Sequence, residues 1–274
     1  MFRLQGQFLF WHLLLFSILS YNIKLDKIPK FVYHFSFIFL IISTLILGVN
    51  ENNRAFGTLG EPNALSATIL FIFPFIFFKF KPLGFISLLT TFLLILLSGS
   101  RAGLIGLIIE LLFISLIKVK FSTLQATISG ILLIVLTLIS PLIDKQGWFE
   151  NRVEIWQTSF VAGLQSPFIG YGFGSIQKII HQTSVSLNNN VQYQIVDSAH
   201  NFLLDFWIQG GIVGVISLLI LIFLTFQHFI KAKKLLEITA FLGLITALLF
   251  NPVSVVNLVA FWWLIGQGFE KPNY

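Results

Sequence analysis

The sequence predicts an all-α, polytopic integral membrane protein with about nine transmembrane helices and one long outward-facing loop, and three observations carry that expectation. First, 56% of the residues are hydrophobic and only 10% are charged, with a mean hydropathy of +0.90. No water-soluble domain hides that much apolar surface in one core. Second, apolar runs of about 15 to 20 residues recur along the whole chain, each enough for a tilted helix to cross a hydrocarbon layer of ~30 Å. Third, lysines gather in alternate connections between the runs, the pattern of the positive-inside rule. The short alternating segments of a β-barrel are not visible.

The first run, Leu4 to Tyr21, is interrupted by His12 and is followed by no small-residue cleavage site. It therefore reads as a retained span and not as a signal peptide. Further spans follow at Phe31 to Val49, Ala64 to Phe78, Leu83 to Leu97, Ala102 to Ile117 and Leu124 to Ile143. A connection of roughly 50 residues, Asp144 to Val196, then precedes the last three spans, and connections of that length are usually functional or disordered. Those spans are Phe202 to Phe226, Leu235 to Phe250 and Val253 to Gln267. With no soluble domain attached, residues 1–274 read as one membrane domain that contains the 144–196 loop. The absence of cysteine excludes disulfides and thiolate chemistry and leaves the redox compartment open.

Lys24, Lys27 and Lys30, then Lys79 and Lys81, Lys118 and Lys120, and Lys231, Lys233 and Lys234, with Lys271 in the tail, mark the cytoplasmic side. The opposite connections hold every arginine: Arg3, Arg54, Arg101 and Arg152. Positive charge set against the insertion bias, always as arginine, points to recognition of an anion, because the guanidinium fork binds phosphate oxygens bidentately. The net charge of +6 is mostly topological lysine and implies no nucleic-acid partner. The span count puts the N-terminus outside and the C-terminus inside, as in a shortened form of a larger architecture.

Four stretches on the outward side carry polar chemistry. In "ENRVEIWQTSFVAGLQSP" Asn151 can cap a helix, with Glu154 in its first turn and Pro167 shortly after its end. Arg152 and Trp156 then share one face, either as an interfacial anchor or as part of a site. In "PFIGYGFGS" the glycines Gly170, Gly172 and Gly174 let backbone N–H groups approach an anion as a nest, or simply turn the chain. In "VDSAHNFLLDFWIQGGIVG" a cap at Asp197 or Ser198 puts His200 in the first turn of a helix. The positive dipole end there favours neutral imidazole, a candidate general base, although a helix-terminal histidine is also an ordinary interface residue. "GTLGEPNALSA", residues 57–67, reads as a loop that starts a helix near Pro62. Arg101 follows "SGS" and precedes the small residues Ala102, Gly103 and Gly106, which permit close helix packing. It either snorkels to the interface or is held at the helix ends by a very short turn.

In this order the stretches resemble the O-antigen ligase and O-antigen polymerase family of bacterial membrane glycosyltransferases. "GTLGEPNALSA" is similar to the family's Gly-Thr-aromatic-Gly-Asn-Pro-Asn segment, and "SGSRAGLIGL" to its Thr-Gly-Ser-Arg-Gly turn. "NRVEIWQTSFVAGLQSPFIGYGFGS" is similar to its Arg-x-x-x-Trp helix followed by Pro and a Gly-x-Gly turn. "HNFLLDFWIQGGIVG" is similar to its His-Asn helix, with Leu204, Gly211 and Gly214 at matching offsets. The chain departs from the pattern at Gln209, where many members carry glutamate, and at Glu61, where asparagine is expected. It also has fewer spans than full members.

The resemblance implies transfer of a glycan from a polyprenyl pyrophosphate to an acceptor glycan or lipid hydroxyl, on the outer face of the bacterial cytoplasmic membrane. It implies that Arg101 and Arg152 bind the leaving pyrophosphate and that His200 is the base. Asn201, Trp156, Gly172 and Gly174 support them. No metal or cofactor is expected, and polysaccharide assembly proteins are possible partners. Polymerase and ligase share this donor chemistry and differ in acceptor. Two rivals remain: a transporter of a lipid-linked or anionic solute, which predicts midplane charges such as Glu110 and broken helices, and a non-catalytic partner in a polysaccharide complex.

Overall fold

The computed structural model describes residues 7–21, 28–50, 53–79, 84–119, 150–188 and 196–269. In chain order the helices are α1 (Gln7–Ser20), α2 (Lys30–Leu47), α3 (Pro62–Lys79), α4 (Gly84–Ser98), α5 (Arg101–Val119), α6 (Glu150–Leu164), α7 (Ile176–Ser186), α8 (Phe202–Lys231), α9 (Leu235–Phe250) and α10 (Val255–Gln267). A short 3-10 turn, Gly57–Leu59, precedes α3. Among the described residues the sole extended pairing is one antiparallel bridge between Val49 and Ala55. The fold is all-helical. Each apolar run expected as a span is a helix, except Leu124 to Ile143, which lies outside the described residues. By length and composition, α2 and α8 are long and apolar enough to cross a membrane; α1, α4, α9 and α10 are shorter apolar helices, as is Pro62–Phe78 of α3.

α2 and α4 bury small polar residues while exposing many large apolar ones. α4 buries Gly84, Ser87, Thr91 and Ser98 and exposes Phe85, Ile86, Leu89, Phe92, Leu93 and Leu96. On α2, Ser43 and Thr44 are buried while Phe31, Phe35, Ile42, Leu45 and Ile46 are exposed. Four of the buried hydroxyls are satisfied within their own helices: Ser87 donates to Gly84 O, Ser98 to Ile95 O, and Ser43 and Thr44 to Leu40 O, while the Thr91 hydroxyl makes no hydrogen bond. An apolar surface this continuous suits lipid, where small residues rather than large apolar ones form helix contacts.

The chain forms two compact units, one of residues 1–29, 151–235 and 248–274, the other of residues 30–150 and 236–247. In the second unit α3 is the central helix, packed against α2, α4 and α5. Leu65, Ile69, Phe73 and Phe75 of α3 are buried, and Tyr33 stacks on Phe75 at 4.9 Å between ring centres. Gly103 and Gly106 of α5 allow close approach, since a Cβ would meet Ser66 at the first and Leu70 at the second. Glu110 is fully buried against Gly243, with neither carboxylate oxygen hydrogen bonded.

In the first unit α1 lies along α10. A Cβ at Gly266 would collide with Ser17 and Ser20, and Gln267 donates its side-chain amide to Ser20 O. Gly163 of α6 leaves room for Trp207 of α8, whose indole donates to Phe160 O at 3.1 Å. A small core of Ile155, Ala162, Ile176, Ile179, Ile180, Ala199 and Ile208 joins α6 and α7 to the start of α8.

Candidate active site

Helix α8 is broken. Gly211 takes φ 57°, ψ −156° inside it, and at about 1.5 Å per residue the break falls roughly 14 Å along from Phe202. A break at that depth frees N–H and C=O groups that must find other partners. The glycine turn supplies them. Tyr171 N–H donates to Ile208 O and Gly172 N–H to Gln209 O, both at 2.9 Å, while Pro167 O accepts from Ile212 N–H at 2.8 Å and Phe168 O from Val213 N–H at 3.3 Å. Residues 167–172 thus splint both sides of the break with two donors and two acceptors.

The left-handed glycines are required by this splint. Gly170, Gly172 and Gly174 have φ of 65°, 86° and 84°, a region L side chains rarely enter. A Cβ on Gly170 would strike the backbone of Gln209 and Gly210, and one on Gly211 would strike Pro167 and Phe168. The N–H groups of Gly170, Tyr171, Gly172 and Gly174 all donate to protein acceptors. The turn reading of these glycines is the one the contacts favour: the Tyr171, Gly172 and Gly174 donors are committed to α8 and the Gly170 donor to Ser166 O within the turn.

Gln209, known from the sequence only as a departure from glutamate, is buried at the centre of this arrangement. Its Oε1 accepts from Gly174 N–H at 3.0 Å and its Nε2 donates to Asp205 O at 3.2 Å. The amide uses both of its ends, and an ionised carboxylate could not donate. Replacing Gln209 with leucine is expected to cost about 1–2 kcal/mol through the lost acceptor, read as a lower thermal midpoint in detergent. An unchanged midpoint would show that the side chain holds nothing.

The 197–201 segment leads into the helix. Asn201 is the cap, its Oδ1 accepting from Leu203 N–H and Leu204 N–H at 3.0 and 3.2 Å. The expected cap at Asp197 or Ser198 is therefore displaced by the residue nearest the helix with an oxygen of the right reach. His200 lies just before the helix, not in its first turn, with φ 54°, a left-handed state that costs a non-glycine residue about 1–3 kcal/mol. His200 Nδ1 is 3.0 Å from Ser198 O. A carbonyl only accepts, so Nδ1 is the donor in this contact, and in a neutral ring Nε2 is then the acceptor nitrogen. Asp205, missed in the sequence, is buried below this turn: Oδ2 accepts from Ser198 Oγ at 2.9 Å and Oδ1 from Ala199 N–H at 2.7 Å. Its signal was an acid in the first turn of an apolar helix.

On α6, Arg152 and Trp156 do share a face, and both meet Phe250. Arg152 donates to Phe250 O at 2.6 Å, and the Trp156 ring centre lies 6.2 Å from that of Phe250. The guanidinium thereby caps the C-terminus of α9, where carbonyls lack helical partners and the dipole favours a cation. Asn151, expected as a cap, falls within α6, which is already helical at Glu150. In the same unit an apolar cleft of about 60 Å³ is lined by Phe10, Phe173, Phe202, Phe206 and Trp262, with Asp205 and Gln209 as its polar members.

Arg101 belongs to the other unit. It is exposed as the first residue of α5, after a turn in which Gly99 takes φ 59° and Ser100 Oγ accepts from Gly103 N–H at 3.2 Å. Arg54 braces this turn. Its Nε donates to Ser98 O at 2.7 Å and a terminal nitrogen donates to Asn63 Oδ1 at 2.9 Å. Burial holds the Arg54 guanidinium below its ordinary pKa, while the Glu61 charge pulls the other way. Arg54 thus caps α4 as Arg152 caps α9; Arg3 lies outside the described residues. Among the described residues no three His, Asp or Glu side chains are grouped to hold a metal ion.

Residues 86–219 match a family model described as O-antigen ligase. An uncharacterised protein of Haemophilus influenzae is 22% identical over 178 residues, covering 56% of this chain and 45% of its own length. A ComP-specific O-oligosaccharyltransferase of Acinetobacter baylyi is 25% identical over 252 residues, covering 77% of this chain and 46% of its own length. The chain thus spans about half the length of the curated relatives it matches.

Proposed function

We propose, from the premise that residues 86–219 belong to the O-antigen ligase family, that this chain transfers a glycan from a polyprenyl pyrophosphate to an acceptor hydroxyl. The segment's family and the oligosaccharyltransferase relative support glycan transfer in general. The finer reading is a protein of about nine spans in the bacterial cytoplasmic membrane, with the 144–196 loop and the site on the outward face. The observation that carries it is the His200 ring, whose Nδ1 is engaged by Ser198 O so that Nε2 is the basic atom.

In this reading the acceptor hydroxyl gives its proton to His200 Nε2 as its oxygen attacks the anomeric carbon. The bond from that carbon to the pyrophosphate oxygen breaks, and attack from the opposite face inverts the centre. Arg101 and Arg152 neutralise the charge that develops on the departing pyrophosphate, which lowers the barrier because fixed cations need no reorganisation. The aromatic cleft is suited to part of an isoprenoid chain, which matches its apolar lining.

The acceptor has two readings. A glycan or lipid hydroxyl makes the chain a surface-polysaccharide polymerase or ligase. The name of the Acinetobacter relative, an O-oligosaccharyltransferase specific for ComP, favours as the second reading a hydroxyl on a protein. The transporter rival fits less well: α8 is broken, but the splint of residues 167–172 takes up the freed groups, and Glu110 packs on Gly243.

The test is a gene deletion restored with wild type, Arg101→Ala or Arg152→Ala at matched protein level, followed by mass spectrometry of polyprenyl-linked glycans, surface polysaccharide and glycoproteins. Accumulated lipid-linked single units with lost long chains is the outcome of a polymerase. Accumulated lipid-linked long chains marks a ligase, and accumulated oligosaccharide with lost glycoprotein marks a protein acceptor. An unchanged lipid pool in the deletion would exclude glycan transfer, and full rescue by both variants would remove the arginines from the site.

A further inference from the structure

The structure assigns to Asp205 the task of setting the orientation and tautomer of His200, as a positioning residue that acts through the Ser198–Ala199 peptide; this rests on the reading of His200 as the base. The Ala199 N–H and the Ser198 C=O belong to one planar trans peptide and point in opposite directions. Asp205 Oδ1 holds that N–H at 2.7 Å, which turns the carbonyl away from the carboxylate. The carbonyl's acceptor direction is then taken by His200 Nδ1 at 3.0 Å. Asp205 Oδ2 takes the Ser198 hydroxyl proton at 2.9 Å, and the same Ser198 Oγ accepts His200 N–H at 3.1 Å.

One buried carboxylate therefore fixes the peptide that faces the ring and the hydroxyl that holds the backbone of His200. The latter matters because His200 has a left-handed backbone, which persists only where the surroundings over-determine it. Asp205 is itself held rigidly, one turn into α8 with Asp205 N–H donating to Asn201 O at 2.9 Å. The chain of contacts runs helix, carboxylate, peptide, imidazole. A base whose other nitrogen is oriented in this way presents its lone pair in one direction.

The test uses the full chain in lipid nanodiscs with 15N-labelled histidine, the His200 signal being identified by its loss in His200→Gln. Wild type is expected to give a protonated Nδ1 and an unprotonated Nε2. Asp205→Asn and Ser198→Ala are expected to shift the ring toward the other tautomer and to lower kcat roughly tenfold or more with donor KM little changed. Ser198→Thr, which keeps the hydroxyl, is expected to retain the wild-type signal. An unmoved tautomer signal in Ser198→Ala and in Asp205→Asn would overturn the inference; if Asp205→Asn does not fold, Ser198→Ala alone decides. The base reading fails separately, if His200→Gln transfers glycan at the wild-type rate, and the tautomer measurement still judges Asp205.

Discussion

His200→Ala is expected to lower glycan transfer by about 10²- to 10⁴-fold, the range general-base catalysis supplies. The loss should fall on kcat, with the donor KM within a few-fold, because in the proposed mechanism the imidazole takes the acceptor's proton and does not bind the pyrophosphate. The geometry behind this expectation is the Nδ1 contact to Ser198 O and the asparagine cap immediately after, which leave the ring one orientation. Transfer kinetics with purified protein, a polyprenyl pyrophosphate-linked oligosaccharide and an acceptor would measure it. A loss smaller than about tenfold would mean that another group accepts the proton.

The largest effect on the fold is expected at Gly170. Alanine there meets the backbone of Gln209 and Gly210, atoms that cannot swing aside, and must also keep a φ of 65°. Left-handed strain of about 1–2 kcal/mol adds to overpacking of about 1–3 kcal/mol. Gly172 is the control, with φ 86° and nothing within 4 Å of its Cβ position, so alanine there carries the strain alone. The thermal midpoint of Gly170→Ala should lie several degrees below that of Gly172→Ala. Equal midpoints would mean that residues 167–172 do not splint α8.

The helices were legible because each apolar run is its own signal: Leu235 to Phe250 was bounded to the residue, and α3 begins at Pro62 as its missing N–H allows. α8 runs past the expected Phe226 to Lys231, since the polar residues that suggested an end remain good helix formers. The site was partly legible. His200 and Asn201 announce themselves as polar residues at the mouth of an apolar run, and Arg152 and Trp156 by their spacing. Asp205 was not, because its importance comes from Ser198 and Ala199 folding back over it, a contact no periodicity records. Nor was the service of Arg54 and Arg152 as caps: a guanidinium in a loop looks the same in sequence whether it awaits phosphate or closes a helix. The glycines were seen, but their partner strand of backbone, Ile208 to Val213, was read as uninterrupted helix.

The splint also has a meaning for anyone who edits this chain. The connection between α6 and α8 looks like the natural place for an epitope tag or a fluorescent insertion, being the longest stretch without an apolar run. Yet its first part, Pro167 to Gly174, is hydrogen bonded into α8, so an insertion there severs a neighbouring helix as surely as one placed inside it. After Asn188, past the end of α7, an insertion interrupts none of those bonds. Tolerance to foreign sequence should therefore change abruptly along a single loop, with the boundary set by the last residue that mends Gly211.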